Sequence, residues 1–227
     1  MKRFWKAVSV ADGEVSLDGR PVRTPGRLAL RLPTAALAEA VAGEWRSVGE
    51  RVDPRTMPLT GLANAAIDRI APTPERYAES LARYGESDLL CYRADAPPEL
   101  VARQAAAWDP PLTWAMRRYD VHFAVATGII HVAQPPATLA RLHEAVAALD
   151  AWTITGLTPL VTVTGSLVLG LALAEGAMDA DSVWHAARID DDWQVERWGE
   201  DELATRTTQA HRAEFDAAVR FLAALHR

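Results

Sequence analysis

The residues best equipped for chemistry in this chain lie between Asp190 and Glu202. The string DDDWQVERWGEDE gathers seven carboxylates, Asp190, Asp191, Asp192, Glu196, Glu200, Asp201 and Glu202, against one cation, Arg197. Its net charge of -6 equals that of the whole 227-residue chain, so the remainder is balanced. Grouped carboxylates can hold calcium or magnesium, and a divalent metal here would make a small metal-dependent hydrolase. The spacing lacks the Asp-x-Asp-x-Asp-Gly order of a calcium loop. An acidic rim around an aromatic anchor is instead the composition of a protein-binding patch, because interfaces are enriched in Trp while their edges stay polar. The plainest alternative is a solvated helix face with both tryptophans packed inward. On a helix, Asp192, Glu196 and Glu200 recur at i, i+4 and i+8, where like charges repel by roughly a few tenths of a kcal/mol per pair. Trp193 and Trp198 lie about 140° apart around such a helix. They therefore serve two different contacts, one able to sit in the core and the other at a rim.

Other reactive residue types do not assemble into a catalytic pattern. His143-Glu144 begins a zinc-binding string, but Ala147 stands where the second histidine would be. Gly165-Ser166 lacks the intervening residue of a nucleophile elbow. There is no Gly-x-Gly-x-x-Gly after a strand, no Walker loop, and Lys2 and Lys6 are the only lysines. Cys91 has apolar neighbours and reads as a small core residue. His122, His131, His185 and His211 are isolated from one another. The reading is a chain that is not an enzyme, with no cofactor and no metal.

Composition narrows the class further. Charged residues make up 24% and apolar ones 49%, ordinary values for a soluble globular protein. Mild acidity argues against a nucleic-acid partner, which needs a basic face. A single cysteine excludes an intrachain disulfide and fits a reducing compartment. The opening MKRFWKAVSVADGE has no apolar run of a secretory signal. Residues 151–174 carry no charge and are long enough to span a membrane. Thr158-Pro159 reads as an N-cap with proline at the first helical position, which splits that run and argues against membrane insertion.

The elements that position these residues form an α+β fold: a small antiparallel β-rich N-terminal domain covered by a helix, over 1–72, then a mainly helical domain over 73–227. Alternation predicts a strand over Phe4 to Val10, two short strands over Glu14 to Leu17 and Arg20 to Arg23 between Asp-Gly turns, and a fourth over Leu28 to Leu32. Pro33-Thr34 opens a helix whose Leu37, Ala38, Val41, Ala42 and Trp45 share the face toward the sheet. Asp53-Pro54 to Met57-Pro58 is expected to be extended, with helical spacing from Leu59 to Ile70. Helices follow over Pro74 to Tyr84, Pro98 to Ala107, and from Asp109-Pro110-Pro111 to Tyr119. Leu89 to Tyr92 stays open between helix and strand, and Val121 to Val132 reads as β with a kink at Gly128. The rest is helical: Ala137 to Trp152, Pro159 to Glu175 with a stop at Gly176, Ala180 to Trp198, and Glu200 to His226, with the last two joined or parted at Gly199.

Several strings, in order, resemble one family. They are Leu17-Asp18-Gly19-Arg20-Pro21-Val22 with Thr24-Pro25, Leu32-Pro33-Thr34 leading to Leu37-Ala38 and Glu44-Trp45, and Met57-Pro58-Leu59-Thr60. They continue in Asp88-Leu89-Leu90-Cys91-Tyr92-Arg93, Trp108-Asp109-Pro110, Gly128-Ile129 with Gln134-Pro135, and Gln194-Val195-Glu196-Arg197-Trp198-Gly199-Glu200. The ordered set resembles the assembly chaperones of the ATP synthase F1 sector, in the branch that binds the alpha subunit, and it covers nearly the whole chain. Position 48 departs from that pattern, with Val48 where glutamine is expected. The resemblance implies a monomeric, cofactor-free chaperone that holds the free alpha subunit until it pairs with beta. It implies a client face at Glu196, Trp198, Gly199, Glu200 and Glu202, while Trp45, Arg20 and Trp193 are candidates for either interface or structure. It further implies a bacterial cytoplasmic protein, or a mitochondrial matrix protein if the chain is a processed eukaryotic homologue.

Overall fold

The computed structural model describes residues 2–128 and 130–226. Ile129, one of the residues that carries the resemblance, lies outside the described residues. The chain divides into two compact units, one of Met1–Pro74, Asp150–Gly156 and Glu214–Arg227, the other of Glu75–Leu149 and Leu157–Ala213. A small antiparallel sheet occupies the N-terminal part, and the remainder is mostly helical.

In the first unit, β1 (Val8–Ala11), β2 (Glu14–Leu17) and β3 (Arg20–Pro21) pair in that order, all antiparallel. Asp12-Gly13 and Asp18-Gly19 both take positive φ at both residues, the geometry of the tight hairpin turn that such dipeptides favour. The sheet has three strands rather than the four expected. Residues Lys6 and Ala7 are not in a ladder because their N–H groups go to the Asp18 carboxylate, at 3.1 and 2.8 Å. Leu28 to Leu32 makes only isolated bridges, Arg23 to Ala29 and Glu14 to Arg31, because the Arg31 N–H turns back onto the Ala29 carbonyl.

Helix α1 (Ala35–Ser47) begins where its cap dictates: the Thr34 hydroxyl accepts from the Leu37 N–H at 3.1 Å and donates to the Ala224 carbonyl at 2.6 Å. Leu37, Ala38, Val41, Ala42 and Trp45 are buried with Val15, Leu17, Leu30 and Leu32 of the sheet side. Trp45 meets Trp5 edge-on, ring centroids 5.3 Å apart. The stretch expected to be extended contains a 3-10 turn, Pro54–Thr56, because the Asp53 carboxylate caps the Arg55 N–H. Helix α2 (Pro58–Ala65) follows and widens into a π turn over Ala66–Ile70. Glu44 fixes its start, accepting from the N–H groups of Leu59 and Thr60 at 2.8 Å each and from the Thr60 hydroxyl at 2.7 Å.

Helix α3 (Pro74–Ala82) leads into 3-10 turns over Arg83–Ser87 and Leu89–Cys91, then β4 (Tyr92–Arg93). One helix, α4 (Pro98–Tyr119), replaces the two expected, running through Pro110 and Pro111. Two missing N–H donors weaken it locally, but tertiary bonds hold the axis. Trp108 Nε1 donates to the Ala186 carbonyl at 2.7 Å, Arg93 binds Asp109 at 2.8 Å, and Pro111 and Leu112 are buried. Among the described residues the strand expected over Val121 to Val132 reduces to β5 (Ala126–Thr127), parallel to β4, with Gly128 at positive φ beyond it.

Helices α5 (Pro136–Ala147), α6 (Ala151–Thr164) and α7 (Leu167–Ala174) follow. The uncharged run does break, but at Gly165-Ser166 and not at Thr158-Pro159. Gly165 takes φ +67° and the Ser166 hydroxyl accepts from the Leu169 N–H at 3.0 Å, whereas Pro159 lies inside α6. A Cβ at Gly170 would come within 2.7 Å of Val161 and 2.9 Å of Leu157, so glycine is what lets α7 lie this close to α6. Among the described residues no helix is long and apolar enough to cross a membrane. Gly176 terminates this segment at positive φ, as expected. Helices α8 (Ala180–Trp198) and α9 (Glu202–Leu225) are parted at Gly199, whose φ of +86° a residue with a side chain rarely adopts.

Candidate functional site

The acidic stretch occupies the last turns of α8, the Gly199 link and the first turn of α9. The expected i, i+4, i+8 stripe is cut short, because α8 ends at Trp198 and Glu200 falls beyond it. The carboxylates on α8 are also less naked than the local sequence suggests. Arg188 reaches Asp191 at 3.1 Å and Asp192 at 3.2 Å, and Gln104 donates to Asp190 at 2.6 Å. Arg103 donates to both oxygens of Glu196, at 2.8 and 2.9 Å, and holds that carboxyl below its ordinary range. Arg188 precedes its partners by three and four residues and was legible as a helical pair. Arg103 and Gln104 come from α4, and no local pattern points to them.

The two tryptophans take the two environments allowed by their spacing. Trp193 is 6% exposed and has the guanidiniums of Arg103 and Arg197 over its ring, 4.9 and 4.5 Å from the centroid. Trp198, at the end of α8, is 79% exposed. The Gly199 N–H closes α8 on the Val195 carbonyl at 2.9 Å. Asp201 then caps α9, its carboxylate accepting from the Ala204 N–H at 2.8 Å. Glu202 pairs with Arg206 at 2.5 Å on the surface, and among the described residues Glu200 makes no hydrogen bond or ion pair. Leu203, 73% exposed, follows one turn into solvent. The sequence reading missed it, although Arg206 and Thr207 at helical spacing leave it without an apolar neighbour on its own face.

The stretch therefore carries two exposed apolar side chains, Trp198 and Leu203, flanked in sequence by Glu196, Glu200, Asp201 and Glu202. Among the described residues no three of His, Cys, Asp and Glu come together as a metal-holding group. Of the remaining candidates, Trp45 is buried, and Arg20 is exposed on β3 beside Asp18.

A division of labour separates this stretch from the other strings that carry the resemblance. Asp18, Thr24, Thr34, Glu44, Asp88, Arg93, Trp108 and Gln134 all make internal hydrogen bonds that fix a turn, a cap or a packing contact. In the C-terminal string Glu196 is held by Arg103 and Arg197 lies over Trp193, but the side chains of Trp198 and Glu200 are exposed with no such partner among the described residues. The fold explains the first set; it does not require the solvent-facing Trp198.

Comparison with known proteins gives a consistent result. The family model described as ATP12 chaperone protein matches residues 2–116. The curated mitochondrial protein atp12 of Schizosaccharomyces pombe is 25% identical over 214 residues, covering 87% of this chain and 74% of that protein. The crystal structure of Atp12 from Paracoccus denitrificans superimposes with a TM-score of 0.93 at 45% identity, over 99% of this chain and 98% of the other. A solved protein from Agrobacterium tumefaciens aligns with the same TM-score at 39% identity, over 99% of this chain and 86% of that one.

Proposed function

The chain belongs to the ATP12 chaperone family, and on that footing we propose that it binds the free alpha subunit of the ATP synthase F1 sector and keeps it from aggregating until alpha pairs with beta. On this reading it works without catalysis and without a cofactor, as a monomer, in the bacterial cytoplasm or, for a processed eukaryotic homologue, the mitochondrial matrix. One observation carries the proposal: Trp198 and Leu203 stand in solvent within a run of carboxylates, while residues of the other strings that carry the resemblance, such as Thr34, Glu44, Asp88 and Trp108, make internal bonds. An exposed Trp desolvated on contact is the residue type that dominates binding energy at interfaces. Around it Gly199 lets the chain turn, and the carboxylates, Glu200 unpaired and Glu196 and Glu202 each shared with one arginine, favour a basic client surface and speed encounter more than they add affinity.

Co-expression with the cognate alpha subunit tests this. The expected result is a one-to-one complex on size exclusion and suppressed light scattering relative to alpha alone. Separate elution, with alpha aggregating at an unchanged rate, would contradict it.

A further inference from the structure

Between Asp120 and Arg141 the chain carries no Asp, Glu, Lys or Arg, and it exposes Val125 (50%) and Ile130 (77%). β5 lies in this stretch and is bonded along one edge. Ala126 and Thr127 pair with Tyr92 and Arg93, and the Gly128 N–H donates to the Arg93 carbonyl at 2.8 Å. Two side chains continue the same edge upstream. The Thr138 hydroxyl bonds both the N–H and the carbonyl of His122, at 3.2 and 2.6 Å. The Gln134 amide does the same for Ala124, at 2.9 and 2.8 Å.

Bonded residues 122, 124 and 126 thus alternate with Phe123, Val125 and Thr127, and such alternation, carried upstream from β5, turns the main-chain groups of the second set to the opposite edge. Among the described residues the N–H and carbonyl groups of Phe123 and Val125 make no hydrogen bond. An unpaired edge recruits other chains unless lysine, proline or a cover blunts it, and no lysine or proline lies between residues 121 and 134.

We propose that this outer edge of residues 123–127 receives an uncharged, apolar β-strand of the client, extending the β4–β5 pair to three strands; this rests on the chaperone reading above. The occupant follows from the edge. Unpaired N–H and carbonyl groups at alternate residues are matched by extended backbone, the strand-addition mode of recognition. The absence of charge together with exposed valine and isoleucine selects apolar side chains on the added strand. The client is engaged by main-chain bonds here and by the acidic, aromatic patch at Trp198, two contacts of different chemistry.

Hydrogen exchange on the full chain, alone and with the alpha subunit, reads the edge directly. The amides of Phe123 and Val125 exchange quickly in the free protein and are slowed about tenfold or more in the complex. Val125→Pro removes one donor that no internal bond uses, so the melting temperature holds while affinity for alpha falls about tenfold; Val125→Thr keeps the N–H and binds as the parent does. A complex that forms with these amides still fast, or with Val125→Pro binding normally, overturns the edge and leaves the chaperone reading standing. Failure of the parent chain to bind alpha overturns both. Protection that grows with concentration in the absence of alpha assigns the edge to a second copy of this chain and also overturns the proposal. If Val125→Pro does not fold, exchange on the unsubstituted chain decides alone.

Discussion

Trp193 and Trp198 lie five residues apart on one helix, yet the first is 6% exposed and the second 79%. Truncation should separate them cleanly. Trp193→Ala removes a buried ring in contact with Arg103 and Arg197 and is expected to cost about 3–5 kcal/mol. Trp198→Ala should change stability by less than about 0.5 kcal/mol, as surface substitutions do. Urea denaturation of both variants gives the comparison. A Trp198→Ala loss comparable to that of Trp193→Ala would make Trp198 a structural residue and remove it from the client face.

Glu200 has no internal partner among the described residues, so its charge is available to a client. Glu200→Lys is expected to leave the far-UV spectrum and the melting temperature as they are, to weaken binding to alpha several-fold, and to flatten its salt dependence. Binding measured at low and moderate ionic strength checks both effects. Affinity unchanged at either salt concentration would remove Glu200 from the interface.

Glu44 tests the other set of residues, those spent on the fold. Its carboxylate takes two N–H groups and one hydroxyl at the start of α2. Glu44→Ala leaves those donors without their charged acceptor and should cost on the order of 1–3 kcal/mol. Client affinity per folded molecule should stay constant. Binding that fell further than the folded fraction would show that Glu44 serves the client as well.

How far these roles were legible follows from where each constraint sits. The start of α1 could be read because Thr34 and the spacing of Leu37, Val41 and Trp45 are local signals. The pairing of Leu59 and Thr60 with Glu44 was invisible, since nothing in Glu44-Trp45 says which N–H groups its carboxylate will meet. Prolines misled twice for one reason. At Pro110-Pro111 and at Pro159 the helix loses donors, but the burial of Pro111, Leu112 and Pro159 and tertiary bonds such as that of Trp108 outweigh a local preference to break. In the acidic stretch the separation of the two tryptophans by about 140° was legible, but which of them is exposed was not, and a solvated face with both packed inward fitted the sequence as well. The neutralisation of the stretch by Arg103 was not legible either, because that arginine arrives from a distant helix. The strand over Val121 to Val132 followed from β propensity, yet among the described residues only 126 and 127 find a partner strand.

Asp88 should make stability depend on pH. It is fully buried, with Val168 and Leu90 N–H groups on its oxygens at 3.0 and 3.1 Å, and burial pushes its pKa from 3.8 up to about 6. A folded-state pKa above the unfolded one means that the native protein holds the proton more tightly. That contribution is complete below the unfolded value and is lost as the pH rises through about 6. Stability should therefore increase as the pH falls from about 8 to about 5, by roughly 1–2 kcal/mol, the full contribution of about 3 kcal/mol being reached only below the unfolded value of 3.8. Asp88→Asn should lack this component whatever its own stability. Carboxylates held low by arginine, such as Glu196, work in the opposite sense, but only at lower pH. Parallel pH slopes for the parent and Asp88→Asn would mean that Asp88 stays ionised throughout.

The most direct test of the central claim is calorimetric titration of the alpha subunit with the parent chain and with a Trp198→Ala, Leu203→Ala variant of matched melting temperature. Saturable one-to-one binding by the parent and a loss of about 2 kcal/mol or more in the variant, the size expected when an interface anchor is removed, is the predicted result. Equal affinities would contradict it, returning the acidic junction of α8 and α9 to a solvated helix end and placing the client face elsewhere.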